Sequence, residues 1–113
     1  MIDLIQHSTE FKTIAEALQS LASKQKIGSD FWKKRAETCR LLATKLELIE
    51  VNDSDPKTLR KIAEQSDQIS AVCSGVSLNC EPAKTPFWNN RAILAKGLAD
   101  HFYELAGFEQ IAA

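Results

Sequence analysis

The chain lacks the features that membrane and secreted proteins require. No stretch approaches the roughly 20 consecutive apolar residues of a membrane-spanning helix. The N-terminal residues show no basic start followed by an apolar run, as a signal peptide would. Cysteine is scarce as well: Cys39, Cys73 and Cys80 are an odd number without the paired spacing of a zinc site. These absences predict a cytoplasmic protein with no membrane contact and with packed thiols, although a bridge between Cys73 and Cys80 stays open.

The sequence also has few glycines, no strand pattern and nearly balanced charges. The four glycines are scattered singly, which excludes a glycine-rich phosphate loop. Nowhere do β-branched and aromatic residues alternate with polar ones over a useful length, so no sheet is expected. The formal net charge of -1 argues against coating nucleic acid through overall charge. With 44% apolar and 26% charged residues, residues 1–113 should form one ordinary globular domain with a modest core.

The most informative feature that is present is an internal repeat. The sequence FWKKRA at 31–36 recurs as FWNNRA at 87–92, an offset of 56 positions in a chain of 113. The agreement continues downstream, where Leu42 corresponds to Leu98 and Ala43 to Ala99. A repeat of this size usually marks one supersecondary unit that cannot bury its apolar face alone. We therefore predict two related helical hairpins, at about 3–50 and 55–106, packed on each other.

Four segments carry the apolar period of an amphipathic helix, at about 3–24, 30–50, 56–74 and 86–105. Asp3 and Ser8 compete as the start of the first segment. Ser29 is the expected cap of the second, and the pairs Asp55-Pro56 and Thr85-Pro86 favour starts for the third and fourth. Gly75 and Gly107 are expected to end the third and fourth helices.

Together these patterns predict an all-α fold. Short links between helices imply antiparallel neighbours, and a bundle is the simplest way to bury four one-sided stripes. The predicted fold is an antiparallel four-helix bundle built from two pseudo-repeated helical hairpins. The alternative is a more open helical fold that a second chain completes.

The fourth helix is the least one-sided. Ile93 and Leu94 are adjacent and cannot both face the core, and Tyr103 adds to the surplus apolar surface. Gly97 inside this helix is expected to permit close packing by a flanking helix or a partner chain. These residues predict a partner interface, and the preferred function is a small non-enzymatic interaction protein that binds another macromolecule and can form a homodimer.

Two Trp-x-x-Arg pairs, Trp32 with Arg35 and Trp88 with Arg91, lie three residues apart on one helix face. The structural interpretation stacks each arginine on its own tryptophan or on that of the other repeat, with the charge in solvent. The functional interpretation is a pair of pseudo-symmetric arginines that hold an anionic group.

A basic stretch supplies the alternative function. Between Lys24 and Lys45 there are seven basic residues and two acidic ones. Cations in the first turns of a helix oppose its macrodipole, which hints at an anionic partner. Binding of nucleic acid or of another anionic ligand would use Lys33, Lys34, Arg35, Arg40 and Arg91.

Catalytic and metal-binding patterns are weak. His7 and His101 lack partners at a recurring ligand spacing, apart from the weak His101-x-x-Glu104, and the ferritin-like metal set is missing. Cys80 is the one thiol placed in a loop, and no basic helper can be assigned to it. We therefore assign no catalytic residue, no metal and no cofactor. An enzyme with a pocket between the tryptophan-bearing helices is the third hypothesis.

Overall fold

The computed structural model describes residues 3–24 and 28–107, and its regular structure is helical throughout these ranges. Four long helices are present: α1 (Leu4–Lys24), α2 (Ser29–Leu48), α3 (Pro56–Asn79) and α4 (Thr85–Leu105). Single 3-10 turns at Val51–Asp53 and Pro82–Lys84 precede α3 and α4. Helix α1 packs on α2, and α3 packs on α4. The all-α, four-helix fold class predicted from the sequence is confirmed.

The chain divides into two compact units, one covering residues 3–49 and the other beginning at Glu50. Each unit holds one helical hairpin. In the second hairpin Ser66 bonds to Ala95 and Ser70 to Ala92, so residue numbers rise along α3 as they fall along α4. The helices of this hairpin are therefore antiparallel, as the short connection requires.

Aspartates cap two of the helices. Asp3 Oδ1 accepts hydrogen bonds from the backbone N–H groups of Ile5 and Gln6, both at 3.1 Å, so α1 begins at the earlier of its two candidate starts. Asp55 Oδ1 accepts from Thr58 N at 2.8 Å, directly before Pro56. These bonds satisfy amides of the first turn that have no partner within the helix.

Three boundary expectations were wrong. Gly28, with φ 81, occupies the N-cap of α2, and Ser29 is already helical. Thr85 is likewise inside α4, and its hydroxyl donates to the Ser77 carbonyl at 3.4 Å. Helix α3 continues through Gly75 to Asn79, because burial of Val76 outweighs the roughly 1 kcal/mol that a helical glycine costs. The expected end of α4 is found, since Gly107 adopts φ 73.

The repeat reappears in the pattern of burial. Five buried positions of α2 each have a buried counterpart 56 residues later in α4. The pairs are Ala36 with Ala92, Cys39 with Ala95, Leu42 with Leu98, Ala43 with Ala99, and Leu46 with Phe102. The tryptophans depart from this symmetry, because Trp88 is 4% exposed whereas Trp32 is only half-buried. The repeated unit is thus a common core face, with differences at its N-terminal end.

Buried serines join the two helices of each hairpin. Ser8 Oγ donates to the Ala43 carbonyl at 3.0 Å, and Ser66 Oγ donates to the Ala95 carbonyl at 2.7 Å. Sequence periodicity marks Ser66 as an interruption of the apolar stripe, yet its side chain is fully buried. A helical carbonyl keeps a free lone pair after accepting its own amide, so the short hydroxyl is satisfied in the core. Alanines opposite the serines let the backbones approach this closely.

We expect Ser66→Ala to destabilise the protein by about 1 kcal/mol, because it removes a buried hydrogen bond and leaves no carbonyl unpaired. Ser66→Leu should cost more, roughly 1 to 3 kcal/mol, because the added atoms must separate the helices. Urea unfolding followed by circular dichroism measures both. Ser74→Ala, an exposed site on the same helix, is the matched control and should change little. Equal effects at positions 66 and 74 would contradict this account.

Candidate functional site

The first copy of the repeated motif forms a compact aromatic and cationic element at the start of α2. The rings of Phe31 and Trp32 meet edge to face, with centroids 5.0 Å apart. The guanidinium carbon of Arg35 lies 4.4 Å from the Phe31 ring centroid. The arginine thus stacks on the phenylalanine four residues before it, a partner that the sequence analysis had not considered.

The second copy repeats this geometry on α4. The Phe87 and Trp88 rings are 5.1 Å apart and nearly perpendicular, and the Arg91 guanidinium carbon lies 4.3 Å from the Phe87 centroid. Positions i and i+4 are neighbours on a helix, so phenylalanine and arginine meet without any strain. The motif is therefore Phe-Trp-x-x-Arg, in which the arginine packs along the ring. The structural interpretation named a tryptophan as the stacking partner, whereas these contacts are with the phenylalanines. The anion-binding interpretation stays a hypothesis.

The basic residues predicted to bind an anion differ in their partners and in the unit to which they belong. Lys33 and Lys34 are exposed and make no ion pair with any described residue. Arg40 lies 3.9 Å from a Glu37 carboxylate oxygen and donates to Gln19 at 3.4 Å. Lys26 lies outside the described residues, and Arg91 belongs to the other compact unit. Within the described part of α2, only the two adjacent lysines present positive charge without a partner.

The four residues of the predicted interface on α4 all lie outside the buried core positions of the helix, and their role stays a prediction. Ile93 is 64% exposed, and Gly97 shares its outward face. Leu94 and Tyr103 are half-buried, and nine residues of helix place them on opposite flanks, since each residue advances about 100°. No atom of the described residues lies within 4 Å of a Cβ added at Gly97, so no flanking helix within these ranges packs closely there. Close approach of a partner chain at Gly97 stays a prediction. The outward face keeps one large apolar side chain, Ile93.

Helix α2 carries a more continuous exposed apolar face, which the sequence analysis missed. Leu41 is 51% exposed and Leu48 is 75% exposed, and these two lie seven residues apart on one side. The sequence does indicate this face, because Leu41 and Leu42 are adjacent and only one of them can face the core. That is the argument that had singled out Ile93 and Leu94 on the fourth helix.

Two threonines extend this apolar character. The hydroxyls of Thr38 and Thr44 donate to the carbonyls four residues earlier, those of Lys34 and Arg40, each at 3.1 Å. Because each hydroxyl is hydrogen-bonded to the backbone, the methyl group of each threonine is the part left to contact a neighbour. We call the resulting surface the α2 face. It consists of Lys34, Glu37, Thr38, Leu41, Thr44, Lys45 and Leu48.

Polar contacts with α1 occupy the neighbouring edge of α2. Lys12 Nζ donates to Glu47 at 2.6 Å, and Arg40 donates to Gln19 about two helical turns further along the hairpin. The hydrogen bond from Lys12 is the main cause that lowers the pKa of the Glu47 carboxyl. These contacts fix which side of α2 turns toward α1. Leu41 and Leu48 follow Arg40 and Glu47 in sequence and therefore point about 100° away from that edge.

The second hairpin has the corresponding polar edge. Lys96, the repeat counterpart of Arg40, lies 3.4 Å from carboxylate oxygens of both Asp67 and Asp100. Asp100 and Asp67 raise the pKa of Lys96. Burial, together with the charges of Asp67 and Glu64, raises the pKa of Tyr103. Tyr103 lies seven residues after Lys96 and therefore on the same side of α4.

The thiols and other ligand types do not converge. In residues 3–24 and 28–107, no three His, Cys, Asp or Glu side chains are placed to hold a metal ion. All three cysteines are free thiols, so Cys73 and Cys80 do not form a disulfide. Burial raises the pKa of the Cys73 thiol to about 12, so it stays protonated. Cys80 is half-buried, with its sulfur 3.7 Å from Thr85 Oγ1. None of the described helices has the length and apolarity needed to cross a membrane.

Comparison with known proteins gives no match among protein-family models, curated proteins or solved structures. A functional assignment for this chain consequently depends on its own surfaces and side chains.

We expect one thiol per chain to react with an aromatic disulfide reagent in the native protein and three to react in denaturant. Cys39 and Cys73 are fully buried, and only Cys80 has partial exposure. Absorbance of the released chromophore at neutral pH gives the count. Cys80→Ser is the control and should remove the native reaction. Rapid native modification of Cys39 or Cys73 would show that the core opens far more easily than its packing implies.

Proposed function

We propose that this protein is a non-enzymatic interaction module that binds another protein through the α2 face. The observation that carries the proposal is the exposure of Leu41 and Leu48, seven residues apart, on a helix whose core positions are already filled by other side chains. Isolated exposed leucines are common on protein surfaces, whereas two aligned at heptad spacing suit a partner helix.

The physical gain from covering this face is sufficient for specific but modest affinity. Complete burial of a leucine side chain contributes roughly 1.5 to 3 kcal/mol, and two such anchors offset part of the entropy lost on association. Lys34 and Glu37 precede Leu41 along the helix, and Lys45 lies between Leu41 and Leu48. Charges on such a rim contribute more to orientation and specificity than to affinity.

Site-specific photocross-linking tests which face is used. A photoreactive amino acid at Leu41 should cross-link a binding protein in the native cell, and the same group at Ser20, an exposed site on α1, should not. The captured protein is then purified and its affinity measured by calorimetry. We expect Leu41→Glu and Leu48→Glu each to weaken binding by about tenfold or more, because a carboxylate replaces a buried anchor.

Ile93→Glu is the matched control, since it introduces the same charge at a similarly exposed site on α4. Thermal unfolding of all three variants must remain close to that of the native protein. Loss of binding in the Ile93 variant alone would instead place the interface on α4 and overturn the assignment to α2.

An anion-binding function is the alternative, and the exposure of Lys33 and Lys34 in the first turns of α2 favours it. Under the main proposal, the purified protein gives no mobility shift with nonspecific DNA or RNA at physiological salt. A shift that weakens as salt rises and disappears in a Lys33→Gln, Lys34→Gln double variant would establish the alternative. A Lys57→Gln, Lys61→Gln double variant, at two exposed lysines on α3, serves as the charge-matched control.

A further inference from the structure

The α2 face is nearly self-complementary about Leu41. Thr38 lies three residues before Leu41 and Thr44 three residues after it, and each hydroxyl donates to a carbonyl of its own helix. Glu37 lies four residues before Leu41 and Lys45 four residues after it, so the two positions carry opposite charges. A surface with this arrangement matches a copy of itself rotated by 180° about an axis through Leu41.

We propose that the occupant of the α2 face is a second copy of this chain, docked with its α2 antiparallel across a twofold axis at Leu41. The inference rests on the proposed function, because it names the partner of that same surface. The two Leu41 side chains meet at the axis. Glu37 of each copy faces Lys45 of the other, and Lys34 lays its aliphatic stem over Leu48 of the other.

The charge pattern selects this direction over a parallel one. Parallel pairing in register sets Lys34 against Lys34, Glu37 against Glu37 and Lys45 against Lys45, three like-charge contacts. Antiparallel pairing converts Glu37 and Lys45 into two symmetric attractive contacts. Such flanking pairs set orientation and partner choice between helices. The existing contact of Glu37 with Arg40, at 3.9 Å between exposed groups, is weak and leaves the carboxylate able to turn.

The extent of the face sets the strength of the dimer. The two leucines and two threonine methyl groups of each copy extend over about three helical turns. A single helix face of this length is small compared with stable interfaces, which bury roughly 1,200 Å² or more. The dimer should therefore be reversible, with a dissociation constant in the micromolar range.

Charge reversal with mixing is the first test. Glu37→Lys alone and Lys45→Glu alone each create two repulsive contacts, so each variant should dimerise about tenfold more weakly than the native chain in sedimentation equilibrium. An equimolar mixture of the two variants restores both attractive contacts in a heterodimer. Recovery of the dimer only on mixing supports the proposal, and absence of recovery overturns it.

Disulfide formation tests the register, in a Cys80→Ser background. Leu41→Cys should yield a covalent dimer on mild oxidation. Leu48→Cys should not link to itself, because antiparallel pairing holds the two sites about 21 Å apart along the axis. A mixture of Leu48→Cys and Lys34→Cys should link. Self-linking of Leu48→Cys as efficient as that of Leu41→Cys indicates parallel pairing and contradicts the model.

The two proposals fail in different ways. A native chain that stays monomeric up to millimolar concentration overturns the self-association, whatever else binds. If Leu41→Glu still abolishes binding of a cross-linked protein in that case, the α2 face remains a partner-binding surface. If Leu41→Glu changes neither self-association nor partner binding, both proposals are wrong.

Discussion

The close approach of two helices along a line of small residues is the constraint on which each hairpin depends. Where Ser66 faces Ala95 and Ser70 faces Ala92, the hydroxyl-to-carbonyl distance of 2.7 Å requires the backbones to be near one another. Such proximity raises the density of dispersion contacts and supplies directional hydrogen bonds where an apolar seam would allow sliding. The hydroxyl fixes the register of α3 against α4, and Ser8 does the same for α1 against α2.

This seam also determines which side chains remain outside. Once Ala43 must face Ser8, the rotation of α2 about its axis is set, and the polar edge from Arg40 to Glu47 follows. Leu41 and Leu48 are then turned to solvent as a geometric consequence of the packing. Their exposure is maintained by the fold, since rotating the helix to bury them would break the serine bond and expose core positions. Under the proposed function, little conformational entropy would be lost in ordering this surface when a partner binds.

The sequence was sufficient to predict the helices but only part of the candidate surface. Apolar periodicity and the Asp55-Pro56 start predict helix existence well, because both depend on neighbours along the chain. The prediction that Gly75 ends α3 was wrong, because burial of Val76 in the core outweighs the local tendency of glycine to end a helix. The apolar period already selects Leu42 for the core, together with Ala36, Cys39, Ala43 and Leu46, and the structure agrees. The candidate surface was missed because the position left to Leu41, outside the core and aligned with Leu48, was not considered as a surface feature.

The two halves of the chain act as an internal comparison. They share a core face position by position, yet they diverge on the outward side. At the repeat positions of Lys34, Glu37, Leu41, Lys45 and Leu48, the second copy has Asn90, Ile93, Gly97, His101 and Glu104. The same hairpin core therefore forms without aligned leucines and without the Glu37 and Lys45 symmetry. The second hairpin forms its core without these features, which supports the proposal that on α2 they serve association with another helix.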